Sequence, residues 1–315
     1  MVSFAPDGPL ASASSGDLLA DRRYAWGQGA LAERDFAAAA DLFRQTIEIA
    51  PDWAPAHLAL GDALAGQGDS GEAAAAWGQA ARLDPSGVLG ADLKIAALGA
   101  GQAPPAAPRD YVRALFDEYA PRFDAHLRGA LAYRGPELLR AAIERACAEA
   151  GRAFAFDVCL DLGCGSGLMA EELRERVGAL HGCDLSPRMI EIAHATGAYA
   201  RLHAADIHDY LSEQGERSAD LVVAADVFVY MGDLAAVFAQ CARVTAPGGL
   251  FAFSVQRGEG ADWSVGADLR YAHTSDYVER LAAAHGFRVM VLEAASTRKD
   301  AGRDVPGLVA VLARA

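Results

Sequence analysis

From Phe154 onward, short apolar runs alternate with stretches in which apolar residues recur every three or four positions. Short apolar runs bounded by Gly, Asp or Pro read as buried strands, and the periodic stretches between them as amphipathic helices. On this basis strands are predicted at 156–162, 179–184, 200–205, 220–225, 249–256, 288–295 and 307–313. Strands alternating with helices imply a mostly parallel sheet with helices on both faces. A ligand then binds beyond the carboxyl ends of the strands, near the switch point in their order. Between residues 20 and 100 the pattern is helical instead, and it repeats.

Shifting the chain by 34 residues aligns Gly27 with Gly61, Ala39 with Ala73, Phe43 with Trp77 and Pro51 with Pro85. A 34-residue period with small, aromatic and Pro positions at these offsets resembles the tetratricopeptide repeat. The resemblance implies one antiparallel helix pair per repeat, over 20–53 and 54–87. Small residues permit close helix approach, an aromatic fills the gap, and Pro ends the second helix. An ordinary helical hairpin bundle is the alternative. Two repeats bury little core alone, so 88–99 reads as a capping helix. Arrays of this kind bind partners on a concave face, which suggests a protein partner here without naming it. The segment Gly101–Pro108 (GQAPPAAP) reads as a linker.

Composition bounds the function. Hydrophobic residues make up 52% and charged residues 22% of the 315, enough to bury a core. A formal net charge of −14 repels phosphate backbones, so no nucleic-acid partner is expected. The five cysteines form no C-x-x-C pair, so no metal site is expected, and an odd count suits a reducing, cytoplasmic setting. No apolar stretch reaches the roughly 18 residues of a membrane span. Residues 1–19 read as a flexible leader rather than a signal peptide.

The segment VCLDLGCGSGLMAEEL, 158–173, carries the most chemistry. An apolar strand ends in Asp161, then Gly163, Gly165 and Gly167 lead into a helix. Glycines suit a sharp turn on which a ligand packs directly against backbone. Leu168 stands where G-x-G-x-x-G would place a glycine, and no G-K-[ST] follows. Asp184 ends the next strand, 21 residues after Gly163, where an acidic side chain can accept from both ribose hydroxyls. The D-x-G-x-G-x-G form resembles the first motif of class I S-adenosylmethionine-dependent methyltransferases.

That resemblance implies a seven-stranded, mostly parallel, Rossmann-like α/β sheet, preceded by the all-α tetratricopeptide-repeat domain. The division is 1–19 leader, 20–100 repeats and cap, 101–110 linker and 111–315 methyltransferase domain. It implies S-adenosylmethionine as cofactor, with Asp161, Gly163, Cys164 and Gly165 in its loop and Asp184 on the ribose. Leu185 packs beside ribose and adenine, and Met189 approaches the cofactor. Asp206, at the third strand end, takes the adenine amino group and Ile207 packs on the ring, although Asp206 alone reads equally as a turn or cap residue. Ala225 ends the fourth strand beside the site. The helical lead-in 111–139 resembles a lid, with Tyr119, Phe123, His126 and Arg134 facing the pocket, or it is an amphipathic helix packed on the sheet.

Tyr230 stands where many relatives of that family carry a His, so the usual base is missing. Methyl transfer from a sulfonium needs in-line alignment, and a base only for a protonated nucleophile. Tyr230, His126, His208 and His273 are the candidates for that role. The acceptor is expected to be a small molecule or a protein held by the repeats. A cofactor-binding interaction protein without turnover is a second reading, and a nicotinamide-dependent oxidoreductase a third.

Overall fold

The computed structural model describes residues 14–315. Its contacts divide these into two compact units. One comprises 116–264 with 270–315; the other ends at Leu115 and takes in 265–269. The division falls inside a helix rather than in the proline-bearing segment 101–108.

Four helices form two successive hairpins: α1 (Leu18–Ala32) with α2 (Phe36–Ile49), and α3 (Ala54–Gln67) with α4 (Ser70–Leu83), followed by the short α5 (Ala91–Ala97). Helix α1 begins inside the predicted leader. Asp17 caps it by accepting from the amides of Leu19 and Ala20, a capping signal that the leader reading passed over. The rest of the predicted leader, 1–13, lies outside the described residues. Packing repeats at the 34-residue period. A Cβ on Gly27 would stand 2.6 Å from the Phe43 ring, and one on Gly61 within 2.4 Å of the Trp77 ring. Phe43 and Trp77 sit in alanine-rich cores, so each glycine admits an aromatic side chain against helix backbone.

The second unit is built on β1 (Phe156–Leu162), β2 (Val177–Asp184), β3 (Arg201–Ala204), β4 (Ala219–Ala224), β5 (Thr245–Arg257), β6 (Trp263–Val265), β7 (Tyr271–His273), β8 (Phe287–Ala294), β9 (Lys299–Asp300), β10 (Arg303–Asp304) and β11 (Gly307–Arg314). The main sheet runs β3-β2-β1-β4-β5-β11-β8, and β7 extends β5 with β6 beside it, making nine strands. All seven predicted strands are present. The sheet is mixed: β1 to β5 pair in parallel with their neighbours, and β11 runs antiparallel to both β5 and β8. Seven of the eight β11 residues are buried, as an interior strand requires. Strands of two or three residues, β6, β7, β9 and β10, are too short for periodicity to reveal.

Strand β5 shows how the sheet takes cover on both faces. Leu250 and Ala252 join the cluster under α8 (Gly135–Glu149) and α9 (Leu168–Leu173). Phe251 and Phe253 face oppositely and pack with Phe228 and with Phe238 of α12 (Ala235–Val244). Helices α10 (Pro187–Ala195), α11 (Ile207–Glu213) and α13 (Ser275–Ala284) complete the crossovers. Ahead of the sheet come the last turn of α6 (Arg109–Tyr119), a 3₁₀ turn at Ala120–Arg122 and α7 (Phe123–Arg128). No described helix is long and apolar enough to cross a membrane.

Candidate functional site

Strand β1 is nearly all apolar because it is hydrogen-bonded between β2 and β4, and Asp161 near its end is buried. The chain then turns through Gly163, Gly165 and Gly167, at φ 63°, 54° and 96°. These left-handed values suit glycine. The turn brings the Gly165 amide to the carboxylate at the end of β2: it donates to Asp184 Oδ2 at 2.9 Å, and the Ser186 amide donates to Oδ1 at 2.9 Å. The glycine loop and the acidic end of β2 are therefore on one side of the sheet and in contact.

Both carboxyls are under electrostatic load. Burial pushes the Asp161 carboxyl up to about 7, opposed by a hydrogen bond from Tyr199 and reinforced by Asp184. Burial likewise raises Asp184 to about 6, opposed by the Ser186 and Gly165 amides and reinforced by Asp117. Tyr199 was not foreseen. Its hydroxyl donates to Asp161 Oδ2 at 2.7 Å. Its ring lies against two glycines: a Cβ would stand 3.2 Å away at Gly167 and 2.9 Å away at Gly182. Nothing in the sequence around Tyr199 marks it, because the slot is made by residues 15 or more positions away.

The lead-in helices cover this loop. Asp117 Oδ1 accepts from Ser186 Oγ at 2.6 Å, and the Asp117 carbonyl accepts from Arg188. Asp124 accepts from Ser166 Oγ, and the Phe123 ring is 3.6 Å from a Cβ on Gly165. Arg128 makes a two-pronged ion pair with Glu171 of α9. Neither Asp117 nor Asp124 was singled out from the sequence. Tyr119 is buried, its hydroxyl hydrogen-bonds His126 Nδ1, and its ring meets Phe123 edge-on. Burial pushes Tyr119 up to about 12, with Arg270 opposing and Tyr230 adding to the rise. Tyr230 packs its ring on Phe116 of the same cover. Tyr119, His126 and Tyr230 thus form one cluster.

The other candidates separate. His273 is fully buried on β7, its Nε2 bound to the Gly232 carbonyl and its ring stacked on Tyr277. Burial lowers it to about 4, so it is a core histidine and not a reachable base, a correction to the sequence reading. His208 is tied by Nδ1 to Gln240 of α12, and Gln240 returns a bond to the His208 carbonyl. That side chain braces α11 on α12. Arg134 is exposed, its guanidinium on the Ser296 carbonyl, and its neighbour Tyr133 is half-buried. Met189 is wholly buried in α10. Cys164 is buried, with Sγ 3.0 Å from a Cβ on Gly182. Leu185, half-buried, follows Asp184 directly. Asp206 caps α11 by accepting from the His208 amide at 2.8 Å, and Ile207 opens that helix. Ala225, half-buried, follows β4.

The next residue, Asp226, anchors a polar network absent from the sequence reading. Its carboxylate accepts from Ser254 Oγ at 2.9 Å, Thr297 Oγ1 at 2.9 Å and Arg298 Nη1 at 3.0 Å, and Arg298 also donates to Gln256. Arg298 is only 5% exposed. Val227 beside it closes on the turn, 2.7 Å from a Cβ on Gly163.

A glycine turn after the first strand, acidic strand ends and a helical cover on a sheet of this order define the Rossmann-like methyltransferase fold. Residues 160–253 match the methyltransferase domain family, a span holding the glycine loop, Asp184, Asp206 and Asp226. Curated relatives include the ubiquinone biosynthesis O-methyltransferases of Idiomarina loihiensis, 31% identical over 117 residues, and of Sinorhizobium medicae, 35% identical over 94. These alignments cover 34% and 29% of this chain, and 45% and 38% of the relatives. The chain thus spans less than half the length of the curated relatives it matches. Magnesium protoporphyrin IX methyltransferase from Synechocystis with bound S-adenosylmethionine superposes with a TM-score of 0.50 at 16% identity, over 66% of this chain and 97% of that one. The [4+2]-cyclase SpnF gives 0.51 at 16%, over 65% and 95%. At such identities these likenesses concern the fold.

Proposed function

We propose that this protein is an S-adenosylmethionine-dependent methyltransferase acting on a small-molecule acceptor. The observation that carries this is the contact between the glycine loop and Asp184: one carboxylate is held by the loop amide of Gly165 at the end of the neighbouring strand. That pairing supports a nucleoside whose sugar is gripped at Asp184 while its tail lies along the loop. The electrostatics support a cation. Two buried carboxyls beside the loop titrate near 6 and 7, so a ligand carrying positive charge relieves their load. On this reading Asp161, Gly163, Cys164 and Gly165 line the loop, Leu185 and Ile207 flank the base, Ala225 closes the floor, and Tyr119 covers the tail. Methyl transfer then proceeds by in-line alignment under a cover that excludes water. The names of the curated relatives support an oxygen acceptor. The unpaired, buried cysteines suit a cytoplasmic setting, and the glycine–aromatic packing shared by the two hairpins supports tetratricopeptide repeats that offer a surface to a protein partner.

Calorimetric titration of the full chain with S-adenosylmethionine and with NAD tests the cofactor. Binding of the first and not the second is expected, and the reverse overturns the proposal. Asp184→Ala should weaken S-adenosylmethionine binding by about 1–3 kcal/mol, because ribose hydroxyls lose their acceptor. Unchanged affinity removes Asp184 from the site.

A further inference from the structure

Helix α1 carries an open stripe. Arg22, Ala25, Trp26, Gly29 and Ala32 are all exposed, and steps of three and four place them along one side of the helix. Leu18 and Leu19, 87% and 48% exposed, stand at its start, and Trp26 is 57% exposed at its middle. The 34-residue repeat shows what such a stripe does one hairpin later. The same positions on α3 are Ala56, Ala59, Leu60, Ala63 and Gly66. Ala56, Ala59 and Ala63 are buried in one cluster with Tyr24, Ala39 and Phe43 of the first hairpin, and Leu60 packs against it. A Cβ on Gly66 would strike the Phe36 ring. Helix α3 thus docks on the hairpin before it through these five positions, and on α1 no described segment covers them.

Stacked helical repeats need a polar outer face at each end. The far end is covered: Ala91 of α5 lies in the cluster of Leu64, Ala76 and Trp77, and Ile95 packs against it. The α1 end instead shows a tryptophan and two leucines, the composition of a contact surface. The stripe is also complementary to itself. In an antiparallel pair of α1 helices centred between Gly27 and Gln28, Trp26 of one helix faces the partner's Gly29, and Arg22 faces the partner's Glu33. A Cβ on Gly29 would meet nothing within 4 Å, so a ring can lie directly on its backbone. Arg22 and Glu33 are exposed and have no ion pair among the described residues.

We propose that α1 is a homodimer interface, in which two copies of this chain pair their α1 helices antiparallel about a two-fold axis. Each Trp26 sits on the partner's Gly29, and each Arg22 pairs with the partner's Glu33. A two-fold contact uses one patch twice and closes. A head-to-tail stack would need the C-terminal face of the hairpins, which α5 occupies. The pairing needs nothing from the cofactor reading.

Sedimentation of the full chain over a dilution series tests this, and the wild type is expected to reach twice the mass of one chain. Trp26→Asp removes the ring, and Gly29→Leu fills its seat with a better helix former. Each should raise the dimer dissociation constant by about thirtyfold or more. Arg22→Glu and Glu33→Arg should each weaken the dimer by about threefold or more, and the double variant should restore it. A wild type that stays monomeric, or a dimer that both Trp26→Asp and Gly29→Leu leave intact, overturns the proposal. Single charge reversals that the double variant does not rescue overturn it too, since the two side chains then do not meet. A chain that dimerises only once residues 2–13 are removed assigns the stripe to that segment and likewise overturns it.

Discussion

Asp161 is the side chain whose state says most about the site. It is 1% exposed, it accepts from Tyr199, and burial holds it at about 7 against an ordinary 3.8. A carboxyl raised in the folded state binds more protons there than in the unfolded chain between those values. The stability it contributes is fully present below pH 4 and is lost as pH rises through 7. Asp161→Asn keeps an acceptor for Tyr199 and removes the titration. Across pH 4–7 the variant's unfolding free energy should therefore fall less steeply with rising pH than wild type's, by up to about 1.4 kcal/mol per pH unit. Denaturant titrations at pH 5 and pH 7 read this directly. Parallel pH dependences for the two proteins would show Asp161 ionised at its ordinary value. The same reasoning explains why His273 fails as a base: burial lowers it to about 4, and one ring nitrogen is committed to Gly232.

Among the elements, the helical hairpins and the glycine loop use one device, a missing side chain that admits an aromatic ring. Gly61 faces Trp77, and that ring is pinned by its Nε1–H donating to Asp62 at 2.9 Å. An alanine at 61 gains about 1 kcal/mol of helix propensity, but its Cβ would stand 2.4 Å from a ring that its hydrogen bond holds in place. Overpacking of this kind costs typically about 1–3 kcal/mol. Gly61→Ala should thus lower stability by up to about 2 kcal/mol, whereas Gly71→Ala, with nothing within 4 Å, should not destabilise. Thermal melts of the two variants decide it, and a melt of Gly61→Ala at or above wild type would show that the ring yields freely. In the loop, Gly167 and Gly182 seat Tyr199 in the same manner. Tyr133 is a third instance, with Gly135 beneath the ring.

At the scale of the whole molecule, two compact units predict two unfolding events rather than one. Trp26, Trp53 and Trp77 report on the helical unit and Trp263 on the sheet unit. Saturation with S-adenosylmethionine at about 100 times its dissociation constant should raise the stability of the sheet unit by about 2.7 kcal/mol and leave the helical transition in place. Calorimetric scans with and without ligand show this as one moving and one stationary peak. A single peak that moves as a whole refutes independent units. Much of the architecture was legible beforehand, because periodicity is a local property: all seven long strands, the 34-residue repeat and the glycine turn with Asp161 and Asp184 stand in the chain as patterns. Capping signals were legible as well, although the one at Asp17 was passed over. The antiparallel insertion of β11, the two-residue strands and the sorting of candidate bases were not, because each depends on which distant segments meet. His126 and His273 look alike as letters, and only burial separates them. Tyr199, Asp226 and Tyr133 carry no local mark, since their surroundings come from glycines, carboxylates and an arginine far along the chain. Local pattern set the elements and the glycine loop; the packing of remote residues decided which side chains surround it.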